Sequence, residues 1–442
     1  VKETLLRSVF ATVISIASAS LLGRVLGLAG YGRYQLVLGL AAQVGQIFEA
    51  GLGTSVISLA PSGKNARQRA IRITAVFFLV VAVPAIVATA MLAGWLVEQA
   101  SGRLLVSCCV ISLTTVAQLL MVGLMRSFDR VRIANVGLLA VPMIHLLIAV
   151  SLWLTGSLDP INAVIAFATA NVLTTLAGSW LLLRMASAGS ANEQSLADAS
   201  KRFGIKLLLQ TGWRSSVARI SQLMIYRLDL FILAFFWGET SVGIYAPAIF
   251  LVSQLNQLGD SVSFVLYPSV ARGRSDHLET CQSCRGVVWV TVVAALCLGT
   301  LAPVVLTVVW GSEFQKAMLP LLVLLPGYVA LTPSRVLASY LAVRTQFRSP
   351  LKASLWGLAI NSILNLMLIP SYGVVGAALA TSIALLLVSV LIWRDFVLLT
   401  NVSWRECWLP RWFEIKNAVA RVRFARGATM ASDETSSKLE QY

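Results

Sequence analysis

Long apolar stretches, parted by short polar or turn-forming clusters, recur from Val9 to Leu399. A helix needs roughly 20 residues to cross a hydrocarbon core, and the pattern supplies such runs again and again. It predicts helices near 5–27, 34–60, 72–97, 103–125, 133–155, 160–183, 207–237, 242–270, 286–310, 317–343, 351–370 and 373–399. Gly30-Tyr31-Gly32, Pro61-Ser62-Gly63, Thr155-Gly156-Ser157, Trp237-Gly238 and Ser371-Tyr372-Gly373 supply the turns between some of them. The expected fold class is an all-α integral membrane protein of about twelve transmembrane helices. No small-residue cleavage pattern follows the first run, so residues 5–28 read as a retained helix and not as a signal peptide.

The longest internal polar stretch, residues 184–206, splits the pattern into two sets of six helices. A shift of 211 residues lays Gly32 on Gly243, Tyr34 on Tyr245, Gln43 on Gln254, Gln46 on Gln257 and Glu49 on Asp260. Matches at polar or special residues are hard to obtain from chance alignment of apolar sequence. With an even number of helices in each set, the repeats are parallel and related by an axis along the membrane normal. The expected organisation is an N-terminal six-helix lobe (1–189), a linker (190–206), a C-terminal six-helix lobe (207–399) and a tail (400–442). In the tail, Trp404, Trp408 and Trp412 share one helical face amid Arg405, Arg411 and Lys416, which suits a segment lying in the headgroup layer.

Charge changes the picture by giving it a direction. The formal net charge is +16, yet the basic residues are scattered among short loops and form no nucleic-acid stripe. Sorted by alternating side, 27 of the 35 Lys and Arg fall with the N-terminus and four (Arg24, Arg33, Arg103, Lys316) fall opposite. Lys and Arg stay on the cytoplasmic side during insertion, so both termini are expected in the cytoplasm. Composition excludes a soluble domain, with 57% hydrophobic and 12% charged residues against about 25% charged in soluble proteins.

Catalytic chemistry finds little material. There are two histidines, His145 and His277, and no hydrolytic triad, phosphate loop or metal cluster is visible. Cys281 and Cys284 form one CxxC, with His277 the nearest further ligand, short of the four a zinc site takes. No enzyme and no cofactor are expected.

What remains is a set of ionisable groups at membrane depth, where each costs a few kcal/mol unless paired or hydrated. Glu49 and its repeat partner Asp260 would face one another across a central cleft, binding a cation or proton that couples transport to a proton or sodium gradient; Asp229 belongs to the same set. The bland alternative is helix packing through Gln46 and Gln257. Arg214, Arg219, Arg227 and Arg335 lie within or at the edge of predicted helices, and guanidinium groups bind phosphate through paired hydrogen bonds. For Arg214 and Arg219 the competing reading is snorkelling to lipid phosphate. Arg335 shares its helix with Pro320, Pro326 and Pro333, which would bend it. His145 reads as a hydrogen-bonded packing residue.

Arg24-Val25-Leu26-Gly27-Leu28-Ala29-Gly30-Tyr31-Gly32-Arg33-Tyr34 and Phe48-Glu49-Ala50-Gly51-Leu52-Gly53 resemble the first two helices of polysaccharide (O-antigen or exopolysaccharide) repeat-unit flippases. That family lies within the multidrug/oligosaccharidyl-lipid/polysaccharide exporter superfamily. Arg227-Leu228-Asp229 and Val242-Gly243-Ile244-Tyr245 echo the resemblance in the second half. The family pattern usually has Pro-Glu before the Gly-Tyr-Gly turn, where this chain has Leu28-Ala29. The resemblance implies two bundles in a V around a cationic cavity. It also implies alternating access, carrying undecaprenyl-diphosphate-linked oligosaccharide from the cytoplasmic to the periplasmic leaflet of a bacterial inner membrane. Arg24, Arg214, Arg219, Arg227 and Arg335 would then hold the diphosphate and acidic sugars. Partners would be the lipid-linked glycan, membrane lipid and polysaccharide assembly proteins, with no nucleic acid. Rival readings are a cation-coupled multidrug antiporter or a lipid II flippase of the same superfamily, a membrane glycan polymerase or acyltransferase, and a structural scaffold.

Overall fold

The computed structural model describes residues 2–49, 64–96, 101–128, 130–187, 205–271, 273 and 275–408. Its helices are α1 (Lys2–Glu49), α2 (Lys64–Leu96), α3 (Gly102–Ser127), α4 (Val131–Leu154), α5 (Pro160–Ser187), α6 (Ile205–Ile225), α7 (Leu228–Ser253) and α8 (Asn256–Ala271). They continue with α9 (His277–Val309), a 3₁₀ turn (Ser312–Ala317), α10 (Met318–Arg344), α11 (Arg348–Thr400) and the short α12 (Trp404–Trp408). Among the described residues, nine helical runs are long and apolar enough to cross a membrane. Many large apolar side chains on them face outward, such as Leu79, Val80, Met91 and Trp95 on α2, as lipid-facing helices require. The predicted linker and the tail beyond Trp408 lie outside the described residues, as does Pro61-Ser62-Gly63.

Three runs hold a glycine outside the helical region: Gly27 in α1, Gly238 in α7 and Gly373 in α11. Each divides its run where two predicted spans meet. Gly238 and Gly373 fall on the predicted turns, whereas the first break precedes its predicted turn: Gly30, Tyr31 and Gly32 are helical. The glycine of Gly30-Tyr31-Gly32 that looked like punctuation has another purpose, given below. The predicted seventh and eighth helices carry unforeseen breaks, at Tyr226–Arg227 and at Gln254–Leu255. By contrast, α10 runs through Pro326 and Pro333 unbroken.

Packing follows the two sets. Helices α1 to α5 pack among themselves, α6 to α11 do likewise, and α1 against α7 is the main contact between the sets. The turns near Gly27, Gly238, Trp310 and Gly373 share one end of the molecule. There Tyr31 meets Phe314 edge-on at 5.8 Å, and Trp237 Nε1 donates to the Ile369 carbonyl at 2.8 Å. At the opposite end α12 packs on the start of α9, where Arg285 donates to the Glu406 carbonyl.

Candidate functional site

The seam between the sets is built twice from one plan. Gly27 (φ 67°, ψ −174°) and Gly238 (φ 72°, ψ −179°) stand 211 residues apart in the same conformation, one that is essentially confined to glycine. Five residues beyond each break comes a second glycine. A Cβ on Gly32 would collide with the Glu239 carbonyl, and one on Gly243 would collide with the Leu28 carbonyl. Positions 28 and 239 are themselves 211 apart, so the two collisions are a symmetric pair. Small residues let helix backbones touch in lipid, where no hydrophobic force drives helices together. Deeper along the seam the symmetry recurs in polar form. Gln43 Nε2 donates to the Leu223 carbonyl at 3.2 Å, while its counterpart Gln254 bonds to Thr12, itself the counterpart of Leu223.

The charges break this symmetry. At the outer-turn end Arg33 lies 3.5 Å from Glu239, and the counterparts of that pair, Ile244 and Leu28, are apolar. Arg24 donates to the Val308 and Val309 carbonyls at the end of α9. At the other end Arg219 Nη2 pairs with Glu49, joining α6 to α1. The counterpart of Arg219 is Ser8, which carries no charge. Asp260, the counterpart of Glu49, pairs instead within its own set, with Arg335 on α10. Arg335 Nη2 also donates to Tyr226 Oη at 2.9 Å, and Tyr226 stacks on Tyr328.

Both forks are half used: the Nε atoms of Arg219 and Arg335 are buried with no hydrogen-bond partner. Arg227 sits half-buried at the break between α6 and α7. It lies within electrostatic reach of Asp229, Tyr31 and Tyr328. No hydrogen bond or ion pair of its side chain is found among the described residues.

Asp229 is fully buried in the first turn of α7. Its carboxylate accepts from the Leu230 amide (2.8 Å), Tyr245 Oη (2.6 Å) and Thr381 Oγ1 (2.9 Å). Behind Thr381, Asn361 Nδ2 donates to its hydroxyl at 3.3 Å and Asn365 Nδ2 donates to Asn361 Oδ1 at 3.0 Å, leaving Asn365 Oδ1 buried without a partner. The result is one buried carboxylate held by three donors, with two asparagine amides chained behind Thr381. The first set has serine at the equivalent position. Ser18 Oγ lies 3.2 Å from His145 Nδ1, and Tyr34 Oη, counterpart of Tyr245, lies 3.3 Å from His145 Nε2. A satisfied neutral network stands where the other set holds a charge.

Residues 21–319 match the model of a family described as polysaccharide biosynthesis protein. The chain belongs to that family. A protein of Haloferax volcanii described as a probable low-salt glycan biosynthesis flippase is 25% identical to this polysaccharide biosynthesis protein over 165 residues, 36% of this chain and 34% of that one. The match thus spans about a third of the relative's length. Among solved structures, a lipid II flippase, MurJ, in an inward closed conformation aligns with TM-score 0.69 at 14% identity, covering 97% of this chain and 98% of its own. A multidrug resistance MATE transporter in an inward-facing conformation aligns at 0.63 with 13% identity (90% and 98% covered). A transporter of the same exporter superfamily from Pyrococcus furiosus aligns at 0.55 with 14% identity (90% and 94%). Identities this low establish the shared fold, that of the exporter superfamily.

Within this family member the predicted residues part company. Arg219 and Arg335 come together with Glu49 and Asp260, so the residues read as anion-binding and as ion-coupling form two pairs. Gln257, the neighbour expected for Asp260, bonds Gln254 and Thr12. Arg24 caps a helix end away from these pairs, and Arg214 lies beside Trp213, 5.4 Å from its ring centre. Cys284 donates to the Pro333 carbonyl, and Cys281 neighbours Cys407 of α12. Sequence reading missed Tyr226, Asn361, Asn365 and Thr381; two asparagines four apart inside an apolar run were the available signal.

Proposed function

We propose that this chain is a flippase that carries undecaprenyl-diphosphate-linked oligosaccharide repeat units from the cytoplasmic to the periplasmic leaflet of a bacterial inner membrane by alternating access. In this reading residues 1–189 and 207–399 are its two lobes, 190–206 the linker, and both termini with the tail from 400 are cytoplasmic. Family membership and the flippase relative support the class of cargo. The observation that carries the reading is Arg227: a half-buried guanidinium with no hydrogen bond or ion pair among the described residues, at a helix break on the seam between the sets. An unpaired cation at membrane depth is costly unless an anion visits it, and a diphosphate headgroup is such an anion. The sugar would pass along the polar seam while the polyprenyl tail stays in lipid.

Coupling is assigned to Asp229, a buried carboxylate that could exchange its Tyr245 and Thr381 donors for a proton or a sodium ion. The decisive experiment depletes the protein and asks where lipid-linked glycan accumulates, read by protection from a periplasmic glycosidase. Accumulation in the cytoplasmic leaflet is expected. Normal translocation would move the assignment to a cation-coupled multidrug antiporter, the reading that the MATE-like fold and the Asp229 site favour. Export of an organic cation from cells lacking any glycan pathway tests that alternative directly.

A further inference from the structure

The Arg219–Glu49 and Arg335–Asp260 pairs share a feature that the diphosphate reading uses. A guanidinium offers two parallel N–H bonds along each edge, and carboxylates or phosphates commonly take both. Here Glu49 takes Arg219 at Nη2 and leaves Nε buried and unpaired; Asp260 takes Arg335 at Nη1, Tyr226 takes Nη2, and Nε is again left over. Buried donors without acceptors are uncommon in folded proteins, and an absent ligand is one standard reason for them. The pairs also differ in access. Glu49 is 2% exposed against 32% for Arg219, whereas Asp260 is 55% exposed against 20% for Arg335.

We propose that Glu49 and Asp260 are internal stand-ins for the headgroup anion, and that the substrate diphosphate displaces them from Arg219 and Arg335. The inference rests on the diphosphate-lipid reading above. A diphosphate carries more charge than one carboxylate and fills the Nε edge that the carboxylates leave open, so it wins the exchange on both counts. Asp260, half in the open, yields first and leaves Arg335 held in place by Tyr226. Glu49 yields second, and because its pair links α1 to α6, its release unties the two sets at that end. Parting the pair takes a cation from a buried carboxylate, which favours opening of the seam at that end. Binding of the headgroup and opening of the seam are then one event. A headgroup that cannot bridge the fork leaves the latch closed.

The test is a binding measurement on the full chain in nanodiscs, with undecaprenyl diphosphate, undecaprenyl monophosphate and inorganic pyrophosphate as probes. If Glu49 competes with the headgroup, removing its charge helps the ligand: Glu49→Gln is expected to bind undecaprenyl diphosphate about five-fold tighter than wild type or better, within the usual range of coupling between sites. Asp260→Asn is expected to shift affinity the same way, and being exposed it serves if Glu49→Gln fails to fold. Arg219→Ala is expected to weaken binding, and the monophosphate to bind poorly throughout. Carboxylates that merely hold the helices in place predict the opposite sign, weaker binding on neutralisation. Unchanged or weaker binding in folded Glu49→Gln and Asp260→Asn chains overturns the inference while leaving the flippase reading intact. Failure of the wild-type chain to bind any diphosphate overturns both. Tightening for pyrophosphate as well as for the lipid supports exchange with the free anion included; tightening for the lipid alone supports it with the lipid as the source.

Discussion

The first two spans of each set were laid down on one plan and then furnished differently. In the first set, α1 runs from Lys2 to Glu49 with one break, at Gly27. In the second, the equivalent stretch is broken three times, at Tyr226–Arg227, Gly238 and Gln254–Leu255. The break they share makes the turn. The two extra breaks bracket Asp229 and Tyr245, and Arg227 lies in the first of them. Where the first set closes its buried polar positions with Ser18, His145 and Tyr34, the second keeps a buried carboxylate and, near it, an arginine with no hydrogen bond among the described residues. Symmetry in this molecule marks the scaffold, and departures from symmetry mark the chemistry.

The sharpest way to break that comparison is at its symmetric part. Gly32→Val and Gly243→Val each drive a side chain into a backbone carbonyl that has nowhere to go. Each is expected to cost about 2–3 kcal/mol or more, read as a drop in melting temperature in detergent. The reciprocal contact requires similar losses; a large loss at one position alone would mean that the crossing is not shared equally.

Next come the buried networks. Asp229→Ala is expected to reduce glycan translocation by about a hundred-fold, because it removes the buried carboxylate to which coupling is assigned in the proposed function. Ser18→Ala, at the matching position, is expected to cost about 1 kcal/mol of stability for one lost hydrogen bond and to leave translocation near wild type. Equal effects of the two on transport would erase the functional contrast.

The smallest expected effect separates two arginines that sequence alone placed in one group. Arg227→Ala is expected to slow translocation about ten-fold with stability unchanged within about 0.5 kcal/mol, since no partner is lost. Arg24→Ala is expected to do the reverse, keeping transport and losing about 0.5–1 kcal/mol, as fits a cation capping the negative end of α9. Matching profiles for the two variants would restore the grouping.

Much of the architecture was legible in the chain because lipid imposes it. A span must be apolar over roughly 20 residues and must satisfy its own backbone bonds as a helix, so length and hydropathy locate the helices without reference to contacts. The 211-residue repeat was legible for a related reason: Gly32, Tyr34, Gln43 and Glu49 stand out against an apolar background, and their counterparts fall at one fixed offset. Gly32 was nonetheless read as a turn residue. A glycine that bends the chain and a glycine that admits a neighbouring backbone look alike until the neighbour is in place.

What the sequence determined by itself is thus the class of fold, the family and the 211-residue spacing of like residues. Only the tertiary structure decided who meets whom: that Arg24 caps a helix end, that Glu49 and Asp260 pair with Arg219 and Arg335, and that Asp229 gathers Tyr245 and Thr381 with two asparagines behind. Hydropathy is a property of each residue in its own solvent and can be read along a line. Pairing depends on distances of about 3 Å between side chains far apart in the chain, 170 positions for Arg219 and Glu49, and those distances exist only once the helices have packed.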